Sequence, residues 1–276
     1  MDGSDKRAAA IFDVEGVRAV VTGAASGLGF AMAEVLALNG ARVTLLDVHE
    51  DLLDEAVRSL AEQGGQVTAE LLDVRDEAAV DAAVGGAAER EGGLDVVFAN
   101  AGISRGSGIT SPEGQIENAD RAAFQEVLGV NLSGVLWTMQ AAAKVMRPQR
   151  SGRIVVTAST AGLGRDSACS YGYIAAKAAV VNVVRQAALD LGRDNVQVNG
   201  IAPGPFHTRI GGARGADPAV TAYWASTIPL ARMGDPGELQ GVVLLLSARR
   251  ASSFITGAVI PVDGGTLVGP PIGPSA

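Results

Sequence analysis

Short apolar blocks alternate along this chain with longer stretches whose apolar residues recur at helical spacing. The blocks run over 17–22, 41–47, 66–74, 94–98, 153–158, 196–201 and 258–262. Each reads as a strand, and their near-continuous apolar character is that of strands covered on both faces. The stretch 30–39, closed by Gly40, reads as a helix, as do 121–147 and about 170–191. Strand and helix alternate throughout, which predicts an α/β fold: a doubly wound parallel sheet of about seven strands with helices on both faces. A second domain and a solenoid repeat are not expected, so residues 1–276 are read as one unit with a core over about 12–266. Residues 1–11 and the Pro/Gly-rich stretch 269–276 are expected to be loose ends.

Composition adds exclusions. A hydrophobic content of 47% with 36 glycines suits a buried sheet joined by tight turns. The net charge of −8 argues against nucleic acid or an anionic membrane as partner. No apolar run is long enough to span a membrane, and the first residues show no hydrophobic signal core. Cys169 is the one cysteine, so no intrachain disulfide can form and a cytoplasmic location is expected. The two histidines, His49 and His207, belong to no cluster with metal-ligand spacing, and no metal is expected.

Candidate chemistry gathers at the ends of the predicted strands. After the first come Gly23, Ser26, Gly27, Leu28 and Gly29, a glycine turn opening a helix. Such a turn lets the backbone approach phosphates, while the helix start offers unpaired N–H groups. The second strand ends in Asp47, placed to hold adenosine ribose hydroxyls and to repel a 2′-phosphate. With no Lys or Arg in the glycine turn, NAD is favoured over NADP. Asp73, at the end of the third strand beside Val74, could cap the adenine pocket or N-cap the next helix. Asn100, Ala101 and Gly102 follow the fourth strand and suit a floor beneath a cofactor. The fifth strand delivers Ser159 to the same edge.

Tyr173 and Lys177 stand four residues apart and so share a helix face. An ammonium beside a phenol is expected to lower the phenol's pKa towards the working range of a general base. The chain has three lysines, Lys6, Lys144 and Lys177, among 22 basic residues, and keeps one here. Together with the glycine turn, the pair suggests hydride transfer coupled to proton transfer at a carbon–oxygen bond.

These motifs, in this order, resemble the short-chain dehydrogenase/reductase family in its compact single-domain branch. The matching features are Thr22–Gly29, Asn100–Gly102, Asn131, Ser159, Tyr173 with Lys177, Pro203–Gly204 with Thr208, and the run 254–265. The resemblance implies a Rossmann-type sheet and a homotetramer. It implies catalytic roles for Asn131, Ser159, Tyr173 and Lys177, with Asn131 holding a water that links Lys177 to solvent. It places the nicotinamide end of the cofactor against Pro203, Gly204, Phe206 and Thr208, and lets Lys177 also hold the nicotinamide ribose. One departure is visible: Tyr173 follows Ser159 by 14 positions, where the family has thirteen. The extra residue is expected to bulge within 164–170. Tyr171 has Ala175 rather than a lysine four residues on, so it is read as packing or pocket wall.

The expected substrate is a small alcohol or ketone. Its pocket walls are read at 103–120 and 206–233, the latter with glycines at 211–215 and Tyr223, Trp224 and Ile228. Small apolar neighbours of Ser159 favour an uncharged substrate, while Arg105, Arg165 or Arg214 could hold a carboxylate. The competing readings are an NADPH-dependent 3-oxoacyl carrier-protein reductase, and a cofactor-binding scaffold without turnover. Asp47 speaks against the first, and the intact Ser159, Tyr173 and Lys177 against the second.

Overall fold

The computed structural model describes residues 6–208 and 218–270. Seven strands form one parallel sheet: β1 (Arg18–Thr22), β2 (Arg42–Asp47), β3 (Gln66–Leu71), β4 (Val96–Ala99), β5 (Gly152–Thr157), β6 (Val196–Pro203) and β7 (Val259–Val262). Their order across the sheet is β3-β2-β1-β4-β5-β6-β7, every neighbouring pair parallel. The chain reverses its winding between β1 and β4, and a crevice opens there beyond the carboxyl ends of the strands.

The central strands β4 and β5 are buried along their whole length. Their alternating side chains feed two cores. On one face Val97, Ile154 and Val156 meet α3 (Glu77–Glu91), α5 (Val135–Gln149) and α6 (Tyr171–Leu191) through Val84, Met139 and Val180. On the other, Val21, Phe98 and Val155 meet α1 (Gly27–Leu38), α2 (Glu50–Glu62) and α8 (Gln240–Ser247) through Met32, Leu60 and Val243. A parallel sheet needs this double cover because its crossover helices lie on both faces. The edge strand β3 has an exposed face, in keeping with its polar residues Gln66, Thr68 and Glu70.

Three details differ from the sequence expectations. First, β3 stops at Leu71, and Asp73 lies beyond it. Second, the helix expected from 30 begins at Gly27, so the glycine turn runs straight into α1. Third, the helical stretch expected over 121–147 is interrupted. α4 (Arg121–Leu128) passes into a π-helical segment, Gly129–Gly134, before α5 resumes. α7 spans Pro218–Thr227, and the glycines at 211–215, with Arg214, lie outside the described residues.

Candidate active site

The first wall of the crevice is the turn between β1 and α1. Gly23 has φ +67°, and a Cβ on it would lie 2.8 Å from Ala101 Cα. A Cβ on Gly29 would collide with the Gly23 carbonyl oxygen. The first turn of α1 can therefore fold directly back on the end of β1, with Ser26 at its N-cap and Leu28 packed against the core. This brings the N–H groups at the helix start, which no helical carbonyl satisfies, to the sheet edge.

Asn100 fastens the floor. Its Nδ2 donates to the carbonyls of Thr22 (3.0 Å) and Gly23 (3.2 Å), and its Oδ1 accepts from Thr157 Oγ1 at 2.9 Å. One side chain thus joins the ends of β1, β4 and β5. Thr22 Oγ1 accepts from the backbone N–H of Asn100 and of Ala101. Gly102 lies beside Asn131.

Asp47 is buried at the end of β2. Its Oδ2 accepts from Ala25 N–H in the glycine turn at 3.0 Å, while Oδ1 takes Val48 N–H, His49 N–H and the His49 ring Nδ1. Asp73 does not N-cap the following helix; Asp76 does, accepting from Ala79 N–H. Asp73 instead closes a turn by accepting from Arg75 N–H and pairs with the Arg75 guanidinium, which lowers its pKa against a smaller cost of burial. Val74 is buried against Gly134.

Beyond β6, Pro203 O accepts from Thr160 Oγ1 at 3.4 Å, and Gly204 N–H donates to Val262 O at 2.9 Å. The Phe206 ring packs on Gly234. Thr208 sits across the crevice from Gly27, its Cβ 3.6 Å from where a Gly27 side chain would begin. The segment named from the sequence thus faces the glycine turn.

Ser159, Tyr173 and Lys177 converge at the carboxyl end of β5. Ser159 N-caps a single helical turn, Thr160–Leu163, and its Oγ accepts from Ala161 N–H at 3.1 Å. Gly162 allows that turn to touch α6, where any Cβ would strike the Lys177 carbonyl. Ser170 caps α6 by accepting from Tyr173 N–H. Lys177 is 2% exposed; its Nζ donates to Thr157 O at 2.6 Å and lies 5.9 Å from the centre of the Tyr173 ring. Burial lowers its pKa to about 8.

The phenol departs from the expectation that Lys177 would bring its pKa down. Tyr173 is pushed up to about 12, first by burial and then by Cys169 and Asp166, against a hydrogen bond with Ser159 that acts the other way. The physical reason is that burial of an anion outweighs an ammonium that is not in hydrogen-bond contact with the phenol oxygen. Tyr171 lies apart from this cluster, more than a third exposed, in a small groove with Arg105, Ala123 and Phe124. Arg105 is paired with Glu126 at 3.5 Å. The segment 164–170, where the extra residue was expected, is a run of bends between two regular helical elements.

Asn131 lies in the π-helical segment, fully buried, and both ends of its amide are engaged by Ile103. Oδ1 accepts from Ile103 N–H at 2.8 Å, and Nδ2 donates to Ile103 O at 2.9 Å. Its side chain clamps the loop after Gly102, a role the sequence reading missed. A polar residue in a helix interior, flanked by glycines, was the available signal.

Among the described residues no His, Cys, Asp or Glu group could hold a metal ion, and no helix is long and apolar enough to cross a membrane.

Comparison with known proteins accords with this geometry. A family profile described as Enoyl-(Acyl carrier protein) reductase matches residues 23–266. The 5-keto-D-gluconate 5-reductase of Escherichia coli (strain K12) is 35% identical over 260 residues, covering 94% of this chain and 98% of that protein. The cis-4-hydroxycyclohexanecarboxylate dehydrogenase of Sinomonas cyclohexanicum is 38% identical over 248 residues, 90% of this chain and 95% of its own. A Beutenbergia cavernae protein described as an NAD(P) dependent gluconate 5-dehydrogenase, solved with NADP at low occupancy, superposes with a TM-score of 0.84. It is 32% identical and covers 93% of this chain and 99% of its own. The chain belongs to the short-chain dehydrogenase/reductase family and is an oxidoreductase acting on CH–OH or ketone groups.

Proposed function

We propose that this protein interconverts a secondary alcohol and a ketone with NAD, using Tyr173 as acid–base group, Lys177 as its neighbouring cation and Ser159 as holder of the reacting oxygen. The observation that carries this reading is the convergence of the three side chains at the end of β5, beside the glycine turn and Asp47. The residues present fit a dinucleotide: the close backbone approach at Gly23 and Gly29 brings the unpaired N–H groups at the start of α1 to the sheet edge, and Lys177 uses one of an ammonium's three donors on Thr157. When bound, the dinucleotide supplies the hydride acceptor or donor.

The chain's own groups manage the proton and the geometry. Ser159 Oγ already accepts from Ala161 N–H, so its O–H is left to donate to a substrate oxygen or to the phenol. In ketone reduction the Tyr173 phenol gives its proton to the oxygen that becomes the alcohol; in alcohol oxidation its phenolate takes that proton back. Lys177 stabilises the phenolate and holds the nicotinamide ribose. Asn131 is a positioning residue, fixing Ile103 and the loop beside the floor.

Asp47 supports NAD over NADP, since its carboxylate would sit against a 2′-phosphate. The NADP bound by the Beutenbergia cavernae relative keeps the other cofactor as the reading to beat. Assembly as a homotetramer is supported by apolar side chains left on the surface, such as Leu189 on α6, 77% exposed. The test of function is an initial-rate screen of secondary alcohols, polyols and hydroxysteroids with NAD and with NADP. Turnover with NAD supports the reading, and equal kcat/KM for the two cofactors sinks the cofactor assignment.

A further inference from the structure

At the amino edge of the sheet, opposite the crevice, three arginines gather around one carboxylate. Asp95 Oδ2 accepts from Arg18 N–H at 3.1 Å and from Arg18 Nε at 2.7 Å. Its Oδ1 accepts from Arg18 Nη2 at 3.1 Å and from Arg249 Nη2 at 2.8 Å. A carboxylate has about four places for a donor, and these bonds fill them. The third arginine, Arg153, donates its main-chain N–H to the Asp95 main-chain oxygen at 2.9 Å. Its side chain lies two positions before that of Val155 and so projects to the same face, where fully buried Ala248 ends α8 and Arg249 follows. Arg153 is 6% exposed, and its buried Nε has no hydrogen-bond partner among the described residues. Glu91, the other acid that acts on Arg18, is paired with Arg42 at 3.0 Å.

Three guanidiniums thus meet a single carboxylate whose acceptor capacity is spent. Burial, and then the charge of Arg249, lower the Arg153 pKa against the pull of Asp95, yet a guanidinium stays protonated in a protein. Arg153 is left as a buried cation with an orphaned donor, and such a group calls for an ion or water to complete it. Arg249 can supply the second half of a site. Its side chain is 62% exposed and commits only Nη2 to Asp95, so other donors of its fork face outward. Guanidinium forks match the paired oxygens of carboxylates and phosphates. We propose that Arg153 and Arg249 form an anion site at the amino edge of the sheet, holding one small oxyanion, a phosphate or a carboxylate. The inference does not depend on the roles given to Ser159, Tyr173 and Lys177.

The experiment titrates inorganic phosphate, and separately malonate, into the full-length protein by calorimetry, with ionic strength held constant by chloride. Three proteins are compared: wild type, Arg153→Met and Arg249→Gln. Methionine fills the path of the buried arginine stem without its charge. Arg249→Gln is a surface change that leaves Asp95 its three bonds from Arg18, so it keeps the test open if Arg153→Met fails to fold. Wild type should bind one anion per chain. Arg249→Gln should weaken that binding about tenfold and Arg153→Met about 10- to 100-fold, the range for lost charge-assisted hydrogen bonds. The unfolding midpoint of wild type should rise by about 2–4 °C at about ten times the Kd, and that of each variant by less. Binding of phosphate alone assigns a phosphate site, and binding of malonate alone a carboxylate site; binding of both assigns a general oxyanion site. Phosphate held at the glycine turn instead would bind all three proteins alike. That result, or no binding of either anion to wild type, overturns the proposal.

Discussion

Lys177 donates to the main-chain oxygen of Thr157 at 2.6 Å, across the seam between α6 and the end of β5. This bond holds a nearly inaccessible ammonium under the floor of the crevice. Burial makes the charge costly, and the lysine pKa falls to about 8. From about 8 up to the ordinary lysine value, the folded protein binds fewer protons at this position than the unfolded chain does. Stability contributed by this group therefore rises with pH across that window, and below it the folded state carries the full penalty.

Replacement of Lys177 by methionine removes that penalty, up to about 3 kcal/mol by the size of the shift. It also leaves Thr157 O without its donor, at a cost of about 1–2 kcal/mol. Lys177→Met should thus be as stable as wild type or about 1–2 kcal/mol more stable at pH 7, with NAD binding weakened and turnover largely lost. The difference should narrow as pH rises through 8 and above. Thermal unfolding across this range checks it; a variant less stable than wild type by the same margin at every pH would refute the argument.

The raised phenol pKa of Tyr173 sets the direction of the pH dependence. A phenol held protonated is ready to give a proton to a ketone near neutral pH. As a base it must first lose that proton, so alcohol oxidation should accelerate with rising pH, while ketone reduction should hold steady or decline. Tyr173→Phe should lower both rates about 100- to 10,000-fold with the fold and NAD binding kept. Tyr171→Phe, in its separate groove, should cost less than about tenfold. Rate profiles in both directions decide this: if Tyr171→Phe is the inactive variant, the four-residue relation to Lys177 has been misread.

Much of this was legible in the sequence because its signals are local. The seven strands announce themselves as runs such as Ile154–Val156, and Gly23 and Gly29 mark a turn that side chains would block, with Gly27 at a φ of +57° between them. The four-residue step from Tyr173 to Lys177 needs only a helix to become a shared face. What stayed hidden depends on distant partners. The π-helical segment at Gly129–Gly134 preserves a helical apolar pattern, so periodicity does not reveal it. The Asn131 clamp needs Ile103, 28 residues away in sequence, to be brought beside it. The direction of the Tyr173 shift follows from burial and from Cys169 and Asp166, which a pairwise reading of phenol and ammonium omits.

Asn131→Ala tests the clamp. It strips hydrogen-bond partners from the N–H and the carbonyl of Ile103 in a partly buried setting, which should cost about 1–3 kcal/mol in stability. If the loop after Gly102 forms the pocket wall expected from the sequence, KM for the substrate should rise while the Kd for NAD changes little. Asn131→Asp keeps the acceptor for Ile103 N–H but sets a second acceptor against Ile103 O in a buried position, so it should not recover the loss at neutral pH. Unfolding midpoints and a comparison of KM with kcat check this; an unchanged KM alongside a reduced kcat would point to a role other than positioning.

Cofactor preference is expected to reside in one oxygen of Asp47. Oδ1 is taken up by Val48 N–H, His49 N–H and the His49 ring, whereas Oδ2 has a single partner, Ala25 N–H. A carboxylate oxygen has room for about two donors. Oδ2 is therefore the atom with capacity for a ribose hydroxyl, and it adjoins the glycine turn. Asp47→Ser should lower the ratio of kcat/KM for NAD over NADP about 10- to 100-fold, the range for a lost charge-assisted hydrogen bond. Asp47→Asn keeps an oxygen for Ala25 N–H but removes the charge, so it should lie between Asp47→Ser and wild type. His49→Ala should leave the ratio within about threefold of wild type, because its ring bonds the other oxygen. Initial rates with both cofactors on a single substrate measure all four proteins. A His49→Ala effect as large as that of Asp47→Ser would show that the pair, not the Oδ2 atom, reads the ribose.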